Sequence, residues 1–275
     1  MTAAFTPHVQ EVGVAQVFDA DLIPRAEGNR SVPFLFHGAV VRDSQRSWED
    51  LSVWRMCGRY ILSDISRFGY REMLRIIEPE EPHAAPSWNI APTQTAPIVI
   101  AEEGSTREVR ARWGLVPKWH RGAPKDLKYP TFNARIETAT QKPAFCASWR
   151  SSRCLVQTGG YYEWTGPKGS KQPWFITLEH NRTIFWFAGL YSKRADGISF
   201  TILTRSADRV LEGLHHRMPV ILRDDQLEVW LNGEDDDETI IASLGAGFGP
   251  RLRWHRVDPV RGDGAHLIEP LQPLV

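Results

Sequence analysis

No apolar run in the chain approaches the roughly 18 residues that a membrane span needs, and the N-terminus lacks the basic start and apolar core of a secretory signal. Both absences point to a cytoplasmic protein without a membrane partner. Cysteine is scarce. Cys57, Cys146 and Cys154 are odd in number and show no Cys-x-x-Cys spacing, so neither a disulfide framework nor a zinc ribbon is expected, and the thiols should be reduced. His-Glu-x-x-His, the zinc-deaminase pattern and close Cys/His pairs are missing, which argues against a bound metal. Gly-x-Ser-x-Gly, the Walker phosphate loop and the dinucleotide Gly-x-Gly-x-x-Gly are missing too. No cofactor is implied, and a thiol is left as the strong nucleophile.

Net charge is also absent, but the zero sum hides a segregation. Arg107 to Arg153 holds eleven Lys or Arg against three Asp or Glu, with Trp113, Trp119, Tyr129, Phe132, Phe145 and Trp149 interleaved. Cations that track phosphates, mixed with aromatic faces that stack on unpaired bases, are the composition of a single-strand nucleic-acid surface. A solvated face with a few core tryptophans has the same composition, so both readings stand. The acidic counterweight lies in Asp224 to Glu238.

Residues 1–55 show scattered prolines and no sustained period of 2 or 3.6. They read as a flexible leader, or as sequence upstream of a true start at Met56, and the second is preferred; residues 56–275 form the working domain. There, strands are expected at Tyr60–Leu62, Pro97–Ala101, Glu108–Trp113, Arg153–Gln157, Trp174–Leu178, Thr183–Leu190, Ile198–Thr204, Met218–Leu222, Trp254–Val257 and His266–Ile268. Helices are expected from Asp64 to Ile77, from near Thr138, from Ser206 to Leu214 and from Asp224 to Leu231, with a proline-rich loop from Glu78 to Pro92. Strands follow strands without βαβ alternation, so the class is α+β with a mainly antiparallel, barrel-like sheet flanked by short helices.

Four clusters carry chemistry. Met56-Cys57 becomes an N-terminal cysteine if Met56 starts the chain and is trimmed, and its amine and thiol then condense with an aldehyde to an imine and close to a five-membered thiazolidine. Closure is intramolecular, so its effective molarity is large. Preceding residues would tie that nitrogen up as an amide. Glu163, in Gly160-Tyr161-Tyr162-Glu163-Trp164, is walled by aromatics that should raise its pKa toward the proton-transfer range; a strand-end glutamate facing solvent is the alternative. His215, opening His215-His216-Arg217-Met218-Pro219, is an acid/base candidate or a cap. Asn133 and Arg135, two apart in an extended segment, share a face and suit a phosphate or sugar oxygen, unless Arg135 serves a structural ion pair.

In chain order, Met56-Cys-Gly-Arg-Tyr60, Trp88-Asn-Ile-Ala-Pro-Thr93, Trp113-Gly-Leu-Val-Pro117, Phe132-Asn-Ala-Arg-Ile-Glu-Thr138, Arg153-Cys-Leu-Val156, Tyr161-Tyr-Glu-Trp164 and His215-His-Arg-Met-Pro-Val-Ile-Leu222 closely resemble the SOS response-associated peptidase (SRAP) family, from Met56 to about Pro270. The resemblance implies a DNA-damage protein, acting as a monomer, that crosslinks itself to abasic sites in single-stranded DNA and joins the nucleoid when bound to damage. It implies that Cys57 forms the thiazolidine, that Glu163 assists proton transfer, that His215 aids sugar ring opening and reversal, and that Asn133 orients the sugar. It implies phosphate contacts from Arg59 and Arg135, and DNA contacts from Pro92, Trp119 and Trp164. The family name adds a peptidase event before the cysteine, and lyase chemistry through the imine is natural. Gln157-Thr158-Gly159 departs from the family's usual Pro-x-Asp, and the loop after Trp119 varies in length. A general cysteine peptidase built on Cys57, His215 and Glu163, and a non-covalent single-strand binder, are the rival readings.

Overall fold

A computed structural model describes residues 58–62, 74–77, 84–102, 104–179, 184–233, 236–245 and 252–272. The expected leader, Cys57, residues 64–73 of the expected first helix and Thr183 at the start of the expected Thr183–Leu190 strand lie outside them. In chain order the strands begin β1 (Tyr60–Leu62), β2 (Ile76–Ile77), β3 (Ser87–Ile90), β4 (Thr95–Glu102), β5 (Ser105–Trp113) and β6 (Asn133–Arg135). Two short helices follow, α1 (Ile136–Ala139) and α2 (Cys146–Ser151), then β7 (Arg153–Thr158), β8 (Gly160–Thr165), β9 (Gln172–Leu178), β10 (Phe185–Arg194) and β11 (Gly197–Ser206). The chain continues through β12 (Arg217–Pro219), β13 (Ile221–Leu222), α3 (Asp224–Asn232), α4 (Asp237–Gly245) and β14 (Leu252–Arg256).

These strands form two sheets. One is antiparallel throughout, in the order β14-β9-β8-β1-β3. In the other, β11-β10-β7-β4-β5 closes on itself, because β5 pairs back to β11 in parallel. Period-2 alternation explains how both faces are filled. Ile98 and Ile100 of β4, with Cys154 and Val156 of β7, point into a core shared with Tyr60, Tyr161 and Ile176 of the first sheet. Their neighbours Val99 and Leu155 point outward, where Trp149, Leu227, Trp230 and Ile240 of the helices cover them. A third cluster lies on the other face of the first sheet, where Tyr162 and Phe175 meet Val257 and Leu267. Each such fully buried side chain contributes about 1.5–3 kcal/mol relative to exposure.

The class is α+β, with large antiparallel and mixed sheets and short helices. Several expectations require correction. Ile76–Ile77 is a strand beside β5 rather than the end of a helix, because it extends that sheet at Thr106 and Arg107. The loop expected from Glu78 to Pro92 contains β3, which pairs with β1. Ser206 is still strand, opposite Arg217, so the single helical turn that follows, Arg209–Leu211, starts only after Asp208. Met218–Leu222 breaks at Val220, whose amide bonds Leu203 and whose carbonyl bonds Ala188, so the chain steps from β11 to β10. Ala265–Ile268 forms a 3-10 turn rather than a strand, pinned by the Leu267 amide on the Gly264 carbonyl.

Candidate active site

The site is built around the end of β8. Gly160 must be glycine, since a Cβ there would sit 2.2 Å from the Phe175 ring and 2.8 Å from the Ile176 carbonyl. The hydroxyl of Thr158 holds the turn before it: it accepts from the Gly160 amide (3.1 Å) and donates to the carbonyl of Gly160 (2.8 Å) or Ile61 (3.1 Å). Gln157-Thr158-Gly159 therefore supplies its own brace where the family pattern differs. Alternation along β8 sends Tyr161 and Glu163 to the inner face and Tyr162 and Trp164 to the outer one. Glu163 is buried, with 3% of its surface exposed. The solvent-facing alternative is excluded.

β1 pairs with β8 through Tyr60–Tyr161, and the Tyr162 amide bonds the Arg59 carbonyl at 3.0 Å. Carried one step further, the same register sets Gly58 opposite Glu163. The chain thus reaches this carboxylate one residue after Cys57, which itself lies outside the described residues. Arg59 donates to the Asn89 side chain (2.7 Å), whose amide group in turn donates to the Gly262 carbonyl (2.6 Å).

A relay of ring contacts joins this strand to Asn133. Tyr60 packs edge-on against Trp113, with ring centres 5.1 Å apart. The Trp113 indole N–H bonds the Phe132 carbonyl at 2.8 Å, directly before Asn133. β6 then runs parallel to β11, with Ala134 on the face covered by the helices and Asn133 and Arg135 on the other. Arg135 makes no ion pair among the described residues; the bridge in this cluster belongs to Arg217 and Glu137, with Nη2 to Oε2 at 2.8 Å and Nη2 to the Thr204 carbonyl at 2.7 Å. That clamp ties the segment carrying Asn133 and Arg135 to the one carrying His215.

His215 lies between the Arg209–Leu211 turn and β12, stacked on His216 at 4.4 Å. The Arg217 amide (3.1 Å) and the Arg217 carbonyl (3.3 Å) both face its Nδ1, so the backbone holds that nitrogen whether it accepts or donates. Burial draws its pKa below the usual imidazole value; His216, Lys171 and Arg217 add to this, against the Arg217 carbonyl. Lys171, whose charge acts on the ring, directly precedes β9.

The basic segment divides. Trp113 and Trp149 are core, and Arg153 is buried over Trp149 and Trp230. Arg107 is tied to Glu102, and Arg112 bonds the Gly114 carbonyl at 2.9 Å. The loop from Lys118 to Tyr129 faces solvent, with Arg121, Lys125 and Lys128, as do Arg110, Arg135, Lys142 and Arg150. Trp119 is 56% exposed, yet its ring is fixed by an indole bond to the Pro143 carbonyl at 3.0 Å. Tyr129, 77% exposed, is a second such face, which the sequence analysis names among the interleaved aromatics without separating it from those of the core. An aromatic in Lys128-Tyr129-Pro130, with no periodic apolar neighbours, was the available signal. Pro92 sits at the apex of a turn closed by the Gln94 amide on the Ala91 carbonyl (3.1 Å), with Thr93 at φ +78°. That conformation is strained for a β-branched residue and is held by the Thr93 amide on the Trp113 carbonyl (2.7 Å). Trp164 is half-buried against Tyr162, on the face away from Glu163. Among the described residues no three His, Cys, Asp or Glu side chains cluster to hold a metal ion.

This chain belongs to the SOS response associated peptidase (SRAP) family, whose model matches residues 56–261. Over 201 residues it is 35% identical to the abasic site processing protein YoqW of Bacillus subtilis, covering 69% of this chain and 86% of that one. It is 28% identical to the abasic site processing protein YedK of Escherichia coli over 229 residues, covering 78% of this chain and 100% of the relative. A solved structure of a Bordetella bronchiseptica protein shares the fold, with a TM-score of 0.61 at 24% identity over 74% of this chain and 100% of that one.

Proposed function

We propose that this protein processes abasic sites in single-stranded DNA by forming a covalent thiazolidine with the opened sugar. The single observation that carries the proposal is the β1–β8 register, which brings the chain from Gly58 against a buried carboxylate, one residue from an aminothiol in waiting. The names of the relatives support the substrate.

In this reading His215, neutral at rest, takes the proton of the anomeric hydroxyl and returns it to the ring oxygen as the sugar opens to the aldehyde. The Cys57 amine adds to the aldehyde carbon to give a carbinolamine, and Glu163, as general acid, protonates the departing hydroxyl so that water leaves and the imine forms. The Cys57 sulfur then adds to the imine carbon, its proton passing to nitrogen, and the ring closes. Overall one C–N and one C–S bond form and one water is released. Asn133 orients the sugar; Arg59 and Arg135 hold flanking phosphates; Pro92, Trp119 and Tyr129 engage neighbouring bases. An amine acylated by the leader cannot form the imine, so release of the residue before Cys57 is part of the same proposal.

The test is a denaturing gel of the protein incubated with an abasic-site oligonucleotide and with an undamaged one. The expected result is a slow, denaturation-resistant band with the damaged strand alone, lost in Cys57→Ser and Cys57→Ala. Salt-sensitive binding that is unaffected by those substitutions, with no resistant band, overturns the covalent reading in favour of a non-covalent binder.

A further inference from the structure

Directly paired residues in an antiparallel sheet share a face, so register identifies what stands beside Glu163. Glu163 pairs with Trp174 of β9, and Trp174 pairs with Arg256 of β14, the edge strand. All three side chains therefore project from one face in a single row. Trp174 is fixed by its indole N–H on the Thr165 hydroxyl at 2.8 Å. The Arg256 guanidinium lies over that ring, 5.2 Å from its centre, and is exposed. It has no carboxylate partner among the described residues, unlike Arg107, Arg194, Arg205, Arg217 and Arg223, each paired with an acid. Trp254, two residues earlier on the same face of β14, is exposed as well. A guanidinium held over an indole gives up little freedom on binding, and its N–H groups suit a phosphate.

We propose that Trp174, Arg256 and Trp254 form a second binding strip for single-stranded DNA, in which Arg256 clamps a backbone phosphate of the strand whose abasic site is held at Glu163. The proposal rests on the function given above. Two strand spacings separate β8 from β14, about 10 Å. At about 3.4 Å per stacked nucleotide, the clamped phosphate lies on the order of three nucleotides to one side of the lesion.

The experiment measures anisotropy of a labelled undamaged strand of about 15 nucleotides against the full chain, across a salt series. Arg256→Ala should weaken binding about tenfold and flatten the log–log salt slope by about 0.7, the contribution of one phosphate on a single strand. Arg256→Lys should keep the slope while losing part of the affinity, and Trp174→Leu should weaken binding through the loss of the platform. Arg223→Ala, an ion-paired cation on another element, should change neither. Melting curves check that each variant is folded. In the crosslinking assay, the Arg256→Ala penalty should appear when the strand extends at least about three nucleotides past the abasic site on the clamped side, and vanish when it ends there. Wild-type binding with unchanged affinity and slope in Arg256→Ala overturns the strip alone, as does a penalty independent of strand length. Failure of the wild type to bind any single strand overturns the function on which the strip rests.

Discussion

Two arginines of this molecule lie over tryptophan rings, in opposite circumstances. Arg153 is buried between Trp149 and Trp230, its Nε bonded to the Trp149 carbonyl at 3.0 Å, and it joins α2 and α3 to the outer face of the closed sheet. Arg256 rests on Trp174 at an exposed sheet edge, in the row that begins at Glu163. Both pairs combine a cation with an aromatic, the composition of a nucleic-acid surface. One is packing, and the other faces solvent beside the candidate site. Composition registers the pair, whereas strand register and burial decide what the pair can do.

The sharpest break in that comparison is chemical. Cys57→Ala should abolish the denaturation-resistant DNA adduct, and Glu163→Gln should slow its formation about a hundredfold or more, the scale of a lost general acid; quenched time courses on denaturing gels measure both. On the packing side, Trp230→Ala should cost about 3–5 kcal/mol of stability in denaturant unfolding, from the cavity it leaves. Variants of the exposed aromatics should behave in the reverse manner. Trp119→Ala and Tyr129→Ala should each lose about 1–3 kcal/mol of single-strand affinity, with melting temperatures near wild type. A melting loss for Tyr129→Ala comparable to that of Trp230→Ala would erase the distinction.

The smallest effect concerns pH. His215 titrates below its unfolded value, so between its folded and unfolded pKa the unfolded chain binds more protons and stability rises with pH. Its contribution is complete above about pH 6.5 and declines as pH falls through that value toward the folded pKa. The neutral ring that takes a proton from the sugar is likewise lost on the acid side. His215→Gln should flatten both the stability profile and the acid limb of adduct formation, measured by unfolding midpoints and initial rates over the same pH series.

Much of the fold was legible because alternation marks half-buried strands: β1 matches its expected bounds, and β4, β5, β7, β9, β10 and β11 sit where runs of Val, Ile and aromatics announced them. β8 was not read as a strand because Gly160-Tyr161-Tyr162-Glu163 is buried on both faces and shows no alternation. α4 escaped because its start, in Asp237-Glu238, reads as solvated charge, while Ile240 and Leu244 alone are fully buried along it. The site residues were legible as motifs. Their assembly was not, since it depends on pairings between distant segments, such as Glu137 with Arg217 and Glu163 with Trp174. Arg256 carries no motif at all, and only register sets it in the row with Glu163.

The most direct test of the central claim is the intact mass of the protein purified from its native cells, before and after exposure to abasic single-stranded DNA. The account predicts a polypeptide beginning at Cys57 that gains the mass of the oligonucleotide less one water and keeps it under denaturation. A polypeptide retaining the residues before Cys57, with no mass gain that survives denaturation, would contradict it.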